Sequence, residues 1–202
     1  MPILLLIALI IGGGTSFSAE GALPGDTLYP IKINVNEEIR SFVSFSNEAQ
    51  TKWDARRVEK RLEEAEKLAA EGRLNAEARA NLESRFETHV KAFQEGAQKI
   101  DAKQNGEASL EVYSNFEASL KAHEQILARI ATKNEGAQEG VASLLLGVRT
   151  HLNSTTKARV DAEANVSADA KGEFKAEAVE GKLGAATNKI SEVTTFIAKM
   201  KS

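Results

Sequence analysis

The clearest helical pattern in the sequence lies at residues 75–134, NAEARANLESRFETHVKAFQEGAQKIDAKQNGEASLEVYSNFEASLKAHEQILARIATKN. Its apolar residues recur every three or four positions on both sides of Asn105-Gly106, which is the spacing of one face of an α-helix. The two sets are Leu82, Phe86, Val90, Phe93, Ala97 and Ile100, then Leu110, Tyr113, Phe116, Leu120, Leu127 and Ile130. Because the joint is short and contains a glycine, the two helices are predicted to fold back as an antiparallel pair.

The composition extends this helical signal to the rest of the chain. The 202 residues include three prolines, and none follows Pro30. A proline inside a helix costs about 3 kcal/mol, so a long proline-free run favours helices. Aromatic residues make up only 5% of the chain, which suits slender helices with an aliphatic core. The sequence predicts an all-α fold, an antiparallel bundle of four to five long helices with an N-terminal extended strap.

Charge and residue content exclude several classes of function. The net charge is −3, whereas nucleic-acid binding usually requires a basic surface, so no nucleic acid is predicted as a partner. The absence of cysteine excludes thiolate catalysis, cysteine-bound zinc and disulfides. No serine lies in a nucleophile-elbow pattern, and no glycine-rich loop between strand and helix could bind phosphate. The sequence therefore predicts no catalytic residue and no enzymatic activity.

Residues 1–18 form an apolar leader. The run Ile3 to Ile11 is followed by glycines and small residues up to Ser18, which is the order of a signal peptide, with cleavage predicted after Ser18. The run is shorter than the ~20 residues of a membrane span. No basic residue precedes it, so a retained anchor or assembly segment and a buried part of the fold are alternatives. The leader predicts an extracytoplasmic protein (secreted, periplasmic or anchored at the cell surface) that meets the membrane through this segment alone, if it is retained.

Residues 19–35 are predicted as the strap. Pro24-Gly25 suits the centre of a type II turn, because glycine accepts the positive φ of the second central position. Pro30 disfavours helical angles at Tyr29, which favours an extended chain. The apolar residues of the strap then cover one end of the bundle as a clasp, and a ligand-binding loop is the alternative.

These residues also resemble a known family. Ala22-Leu23-Pro24-Gly25-Asp26, Leu28-Tyr29-Pro30-Ile31-Lys32 and Asn36-Glu37 resemble the opening signature of a bacterial domain family of unknown function, and Arg61 to Leu68 resembles its first long helix. The resemblance covers residues 22–130. It implies an extracytoplasmic helical domain with an export or anchor segment just upstream, and it implies no catalytic residue.

The first long helix is predicted from about Asn36 to Gly72. Asn34 and Glu37 have capping-box spacing, and Gly72 suits a left-handed residue after the helix. Its outer face is predicted to be solvated and ion-paired, and it contains Arg56, Arg57, Lys60, Arg61, Glu59, Glu63, Glu64 and Glu66. Trp53 is predicted to be level with Phe93 and to contact it in the core.

Residues typical of helix ends and connections complete the predicted organisation of the chain. Asn75 is expected to cap the second helix, and a fourth helix is expected to begin near Gln138. Beyond Ser154 the apolar pattern thins into a polar connection, and a last set from Phe174 to Met200 is either a fifth helix or the far end of the fourth. The predicted segments are a leader (1–18), a strap (19–35), a bundle core (36–154) and a C-terminal helical extension (155–202).

The candidate site is a layer of the three histidines, His89, His123 and His151. Turns centred at about 105.5 and 136 bring them to within about one helical turn of one height, and Arg57 is level with His89. Neutral imidazoles on facing helices suit Zn²⁺, Cu²⁺ or Ni²⁺. The alternatives are partly buried histidines that are hydrogen-bonded to glutamate or to each other, and a pH sensor whose imidazolium groups repel below about pH 6.

Two functions follow from these features. The first is a non-enzymatic exported envelope or surface protein that acts by self-assembly or by binding a partner, either itself or another envelope protein. The alternative is an extracytoplasmic bundle that binds a transition metal through the three histidines. The first requires no cofactor, and the second takes zinc, copper or nickel.

Overall fold

The computed structural model describes residues 19–37, 46–101, 105–133 and 135–166, with the backbone alone at 35–36 and 135–138. The chain forms two compact units, residues 1–46 and 47–202. The described residues are helical or irregular and include no β-strand, so the all-α prediction is confirmed. The predicted leader and the apolar set at Phe174 to Met200 lie outside the described residues.

The described part of the first unit is a turn followed by a helix. Gly25 has a φ of 95°, as predicted for a type II turn. A helix spans Tyr29–Ile31 and continues as a π-helical turn over Lys32–Asn36. The predictions of an extended strap at these residues and of a capping box at Asn34 are therefore wrong. Pro30 lies in the first helical turn, where no acceptor is available for its missing N–H, so it is compatible with the helix.

The residues of the opening signature contact one another. Asp26 Oδ2 accepts a hydrogen bond from the backbone N–H of Leu23 at 2.9 Å. The buried Lys32 donates from Nζ to the carbonyl oxygen of Ala22 at 3.0 Å. A small apolar cluster of Ala22, Leu28, Tyr29 and Ile33 packs beside these bonds. The signature thus stabilises its own turn.

The second unit contains four long helices: α1 (Asn47–Ala70), α2 (Ala76–Asp101), α3 (Gly106–Lys133) and α4 (Glu135–Asn165). Short connections make helices that are consecutive in sequence antiparallel, as predicted. The most extensive packing is between α1 and α2 and between α3 and α4, and α1 also packs along α3. The α2–α3 pair on which the sequence analysis rested is in contact, but less extensively than either of these hairpins.

The helix α4 continues past Ser154, where a polar connection was predicted. Its buried stripe of Val141, Leu144 and Val148 is extended by Thr155 and Ala162. Alanine has a high helix propensity and needs little space, so a stretch with few large apolar residues still forms a packed helix. Residues 155–165 are therefore part of α4.

The helix ends are formed by the predicted residues. Gly72 has a φ of 67°. The N–H of Arg73 donates to the carbonyl of Leu68 at 2.7 Å and that of Gly72 donates to Ala69, which is the Schellman arrangement. Asn75 Oδ1 accepts from the N–H of Ala78 at 2.8 Å and caps α2, as predicted.

The core follows the predicted apolar stripes, since all twelve residues of the two sets on α2 and α3 are buried. The ring of Phe93 stacks at a tilt on Phe116, with centroids 4.0 Å apart, and meets Tyr113 edge-on at 6.0 Å. Trp53 is half-buried, and Lys60 Nζ lies over its ring, 5.6 Å from the centroid. Within the ranges that the structure describes, no helix has the length and apolar character needed to span a membrane.

A close helix crossing joins Gly96 on α2 to Thr51 on α1. Thr51 is fully buried, and its hydroxyl donates to the carbonyl of Asn47 at 2.7 Å. A Cβ at position 96 would lie 3.2 Å from Cβ of Thr51 and still closer to its Oγ1. The crossing therefore requires glycine at this position.

We expect Gly96→Ala to destabilise the bundle in urea unfolding followed by circular dichroism. Overpacking of this kind costs ~1–3 kcal/mol, and the higher helix propensity of alanine offsets ~1 kcal/mol of it. Adding Thr51→Ala should restore the stability by removing the clashing atoms. Gly140→Ala is the matched control, because its nearest atom would be 3.5 Å away. If Gly96→Ala were as stable as Gly140→Ala, the crossing would not be as close as described.

Candidate functional site

The three histidines lie on three helices and have different partners. His123 Nδ1 on α3 is 2.6 Å from Oε1 of Glu66 on α1, and the two side chains are 1% and 8% exposed. His151 Nε2 on α4 is 2.9 Å from Oε2 of Glu87 on α2, with side-chain exposures of 17% and 55%. The His151 ring also meets Phe86 edge-on at 5.5 Å. Both contacts are histidine–glutamate hydrogen bonds between helices, of the kind expected from the non-metal alternative.

The described residues do not bring three His, Cys, Asp or Glu side chains into a group that could hold a metal ion. One reason is the position of the α2–α3 turn. The midpoint of this turn, between Asp101 and Gly106, lies about two residues before the predicted one. The residue of α3 at the height of His89 is therefore about residue 118. His123 lies ~7.5 Å away from that height, measured along the axis of α3. Binding of Zn²⁺, Cu²⁺ or Ni²⁺ by the three histidines stays a prediction, for which metal titration is the direct test.

His89 on α2 has a different environment from the other two histidines. Its side chain is 8% exposed, and its Nε2 has no hydrogen-bond partner in the described part of the chain. Burial, reinforced by the positive charges of Arg57, Arg61 and Arg85, lowers its pKa to about 3. The imidazole is therefore neutral at physiological pH. The proximity of Arg57 agrees with the level predicted from the sequence.

The charged residues of α1 are paired as predicted, but several are buried, so the prediction of a solvated face is wrong. Arg61 and Glu64 form an ion pair at 3.1 Å with side chains 0% and 4% exposed. Arg57 pairs with the buried Asp54. Because α1 packs against both α2 and α3, more than one of its faces is covered. The sequence signal for this stripe is a set of opposite charges at helical spacing, at positions 54, 57, 61 and 64.

A second polar cluster joins α2 to α3. The carboxylate of Asp101 accepts hydrogen bonds from the hydroxyl groups of Ser109 and Tyr113, the latter at 3.3 Å. Burial, together with the nearby Asp101 charge, raises the pKa of Tyr113 to about 12. The tyrosine therefore stays protonated as a donor, and this cluster fastens the helix ends.

A groove of about 190 Å³ lies between α1 and α3. It is lined by Lys52, Ala55, Arg56 and Glu59 of α1, Phe93 of α2, and Val112, Asn115 and Phe116 of α3. Phe93 and Phe116 are buried core residues, so the floor of the groove is apolar and well packed. The sequence does not reveal this groove, because three helices contribute to it and residue spacing within one helix does not show where two others leave a gap.

The rim of the groove is charged. Lys52 Nζ lies 2.7 Å from a carboxylate oxygen of Glu48 on α1 and 2.7 Å from one of Glu111 on α3, so it links the two helices. Arg56 forms an ion pair with Glu59, and Glu63 lies 3.6 Å from the same guanidinium group. These pairs hold the rim side chains around the apolar floor.

The two histidine–glutamate pairs allow a matched comparison of buried and exposed contacts. We expect a double-mutant cycle of His123→Ala and Glu66→Ala to give a coupling of about 1.5–3 kcal/mol in denaturant unfolding. The same cycle for His151→Ala and Glu87→Ala should give about 0.2–1 kcal/mol, because solvent screens the exposed pair. Equal couplings would show that burial does not strengthen the contact between α1 and α3.

The lowered pKa of His89 predicts a pH dependence of stability. Between pH 6.5 and about 3 the unfolded chain binds a proton that the folded chain excludes, so the free energy of unfolding falls as the pH falls. The slope contributed by His89 is at most about 1.4 kcal/mol per pH unit. His89→Phe should remove it, as measured by urea unfolding from pH 7 to 4. Parallel curves for the two proteins would contradict the assignment.

Comparison with protein families matches residues 21–173 to a domain of unknown function, DUF5667. No curated protein and no solved structure matches the chain. The matched segment begins at the opening signature and continues beyond α4, which is further than the resemblance seen in the sequence. It covers more than half of the 202 residues. The chain therefore belongs to the DUF5667 family of domains of unknown function.

Proposed function

We propose that this domain is a non-enzymatic, extracytoplasmic binding module that holds one side chain of a partner protein in the α1–α3 groove. The observation that carries this proposal is the apolar floor of Phe93 and Phe116 beneath a charged rim. Protein–protein hot spots have this composition, because one anchor side chain is buried while the surrounding polar contacts exclude water.

The size of the groove favours a side chain over a cofactor. Its volume of about 190 Å³ is below the roughly 300–1,000 Å³ of most small-molecule sites. The described residues that line it include no histidine, cysteine, serine or threonine. The amine of Lys52, which does line it, is held in ion pairs with Glu48 and Glu111. These features support binding rather than catalysis.

The charge of the rim indicates the chemistry of the partner. The charged residues that line the groove itself are Lys52, Arg56 and Glu59. The carboxylates of Glu48 and Glu111 lie beside Lys52, and that of Glu63 lies beside Arg56. The excess of carboxylates in this set of described residues favours a positively charged partner through electrostatic complementarity. The partner segment therefore has one large apolar residue beside a lysine or arginine.

Two features of the sequence support the extracytoplasmic location. The leader at residues 1–18 has the order of an export signal. The opening signature resembles that of a family with an export or anchor segment just upstream. A partner in the cell envelope is consistent with both.

Self-assembly through α4 has less support than partner binding. The large hydrophobic residues that α4 exposes in the described structure are Leu146 and Val160, which are 67% and 50% exposed to solvent. A stable protein–protein interface buries about 1,200–2,000 Å² in total, with a contiguous apolar centre. Two side chains separated by 14 positions do not provide such a surface.

Selection of random 12-residue peptides displayed on phage tests the proposal. We expect peptides enriched on the purified chain to share one large apolar residue beside a lysine or arginine. Ala55→Trp fills the groove and should weaken binding of these peptides at least tenfold, because the loss of a buried anchor exceeds ~1.4 kcal/mol.

Ala142→Trp is the matched control, since it adds the same indole at an exposed position of α4. It should bind the selected peptides as the wild type does, with both variants checked for helicity by circular dichroism. If the selected peptides bound the wild type, Ala55→Trp and Ala142→Trp equally well, their binding site would lie outside the groove, which would contradict the proposal.

A further inference from the structure

Two pairs of basic residues face each other across the α1–α2 interface. Arg57 and Arg61 are four positions apart on α1, and Arg85 and His89 are four apart on α2. Counted from the connection between the helices, Arg57 is level with His89 and Arg61 is level with Arg85. The effect of all three arginine charges on the His89 imidazole agrees with this placement.

At the level shared by Arg57 and His89, Nε of Arg57 and Nε2 of His89 have no hydrogen-bond partner within the described residues. Both atoms are buried. The Nε–H of arginine is always a donor, and the Nε2 of a neutral imidazole is a donor in one of its two tautomers. Buried donors in folded proteins nearly always have an acceptor. Two such donors at one level of adjacent helices indicate a shared acceptor.

The charges around these atoms favour an anion as that acceptor. The carboxylate of Asp54 pairs with Arg57 through Nη2 and so compensates its charge. Arg85 donates from Nε to Oδ1 of Asn81 at 3.1 Å, and this amide oxygen is neutral. The described residues place no carboxylate in an ion pair with Arg85, so its charge is available to an anion.

We propose that Arg57 and His89 bind a small monovalent anion of the chloride class between α1 and α2. The Nε–H of Arg57 and the Nε2–H tautomer of His89 donate to it, and Arg85 contributes positive charge. A monovalent ion is favoured because a buried multivalent ion loses more hydration free energy. The proposal is independent of the groove.

Chloride titration of the whole chain tests this site. The probe is sodium chloride, exchanged stepwise for sodium gluconate at constant ionic strength and pH 7. Binding should raise the melting temperature along a saturating curve by several degrees at a hundredfold excess over the dissociation constant. His89→Phe should abolish the response. His151→Phe is the matched control, because His151 lies at the α2–α4 interface, and it should keep the response.

Nuclear magnetic resonance of the wild type keeps the test decisive if His89→Phe does not fold. The ¹⁵Nε2 resonance of His89 should shift with chloride and saturate at the concentration given by melting, while the ring resonances of His123 serve as an internal reference. A His89 resonance and a melting temperature that do not depend on chloride would overturn the proposal, since a buried water would then be the acceptor. The proposal would also be overturned if the melting temperature rose with chloride without saturating and rose equally in the wild type and in His89→Phe.

Discussion

Helix α1 buries several of its own charged side chains, and the packing of the bundle around α1 has to provide a partner for each of them. Arg61 and Glu64 are almost completely buried, and Asp54 and Glu66 are nearly so. A buried charge is strongly destabilising without a partner, so each must find one along α1 or on a neighbouring helix. Within α1 the partners are three residues apart, as in the pairs Arg57–Asp54 and Arg61–Glu64. Across helices, Glu66 reaches His123, and this contact sets the height of α3 relative to α1. The polar contacts thereby specify the heights of the helices relative to one another, whereas aliphatic packing alone would allow one helix to slide along another.

The aromatic residues connect this arrangement to the groove. Phe93 and Phe116 are in van der Waals contact within the core and also form the floor of the groove. Because the floor belongs to the core, its shape is fixed by the same packing that stabilises the fold. The small side chain of Ala55 on α1 leaves the groove open, while Lys52 links α1 to Glu111 on α3 at its rim. A site of this kind is preorganised, so a partner side chain would enter it without reordering the helices.

The residues that resemble a family signature, at positions 22–37, are explained by local structure rather than by chemistry at a site. Gly25 supplies the positive φ of the turn, Asp26 accepts from the backbone of Leu23, and Lys32 donates to Ala22. These residues therefore stabilise a local fold, and they do not by themselves indicate a ligand. The groove and the arginine–histidine cluster lie in the helical unit, and their residues belong to helix faces that spacing alone does not distinguish from ordinary core and surface.

Features that depend on local periodicity and backbone conformation could be predicted from the sequence. The buried stripes of α2 and α3, the cap at Asn75 and the left-handed Gly72 follow from helical spacing, side-chain hydrogen bonding and the conformational freedom of glycine. Tertiary packing determines which faces of α1 are covered, so the burial of Arg61 and Glu64 was not predicted. It also decided the heights of His89, His123 and His151, because a shift of two residues in one turn moves the facing position by about four residues, or ~6 Å. The groove was decided in the same way, since a gap between helices depends on how they pack, and the spacing of residues within each helix does not encode it.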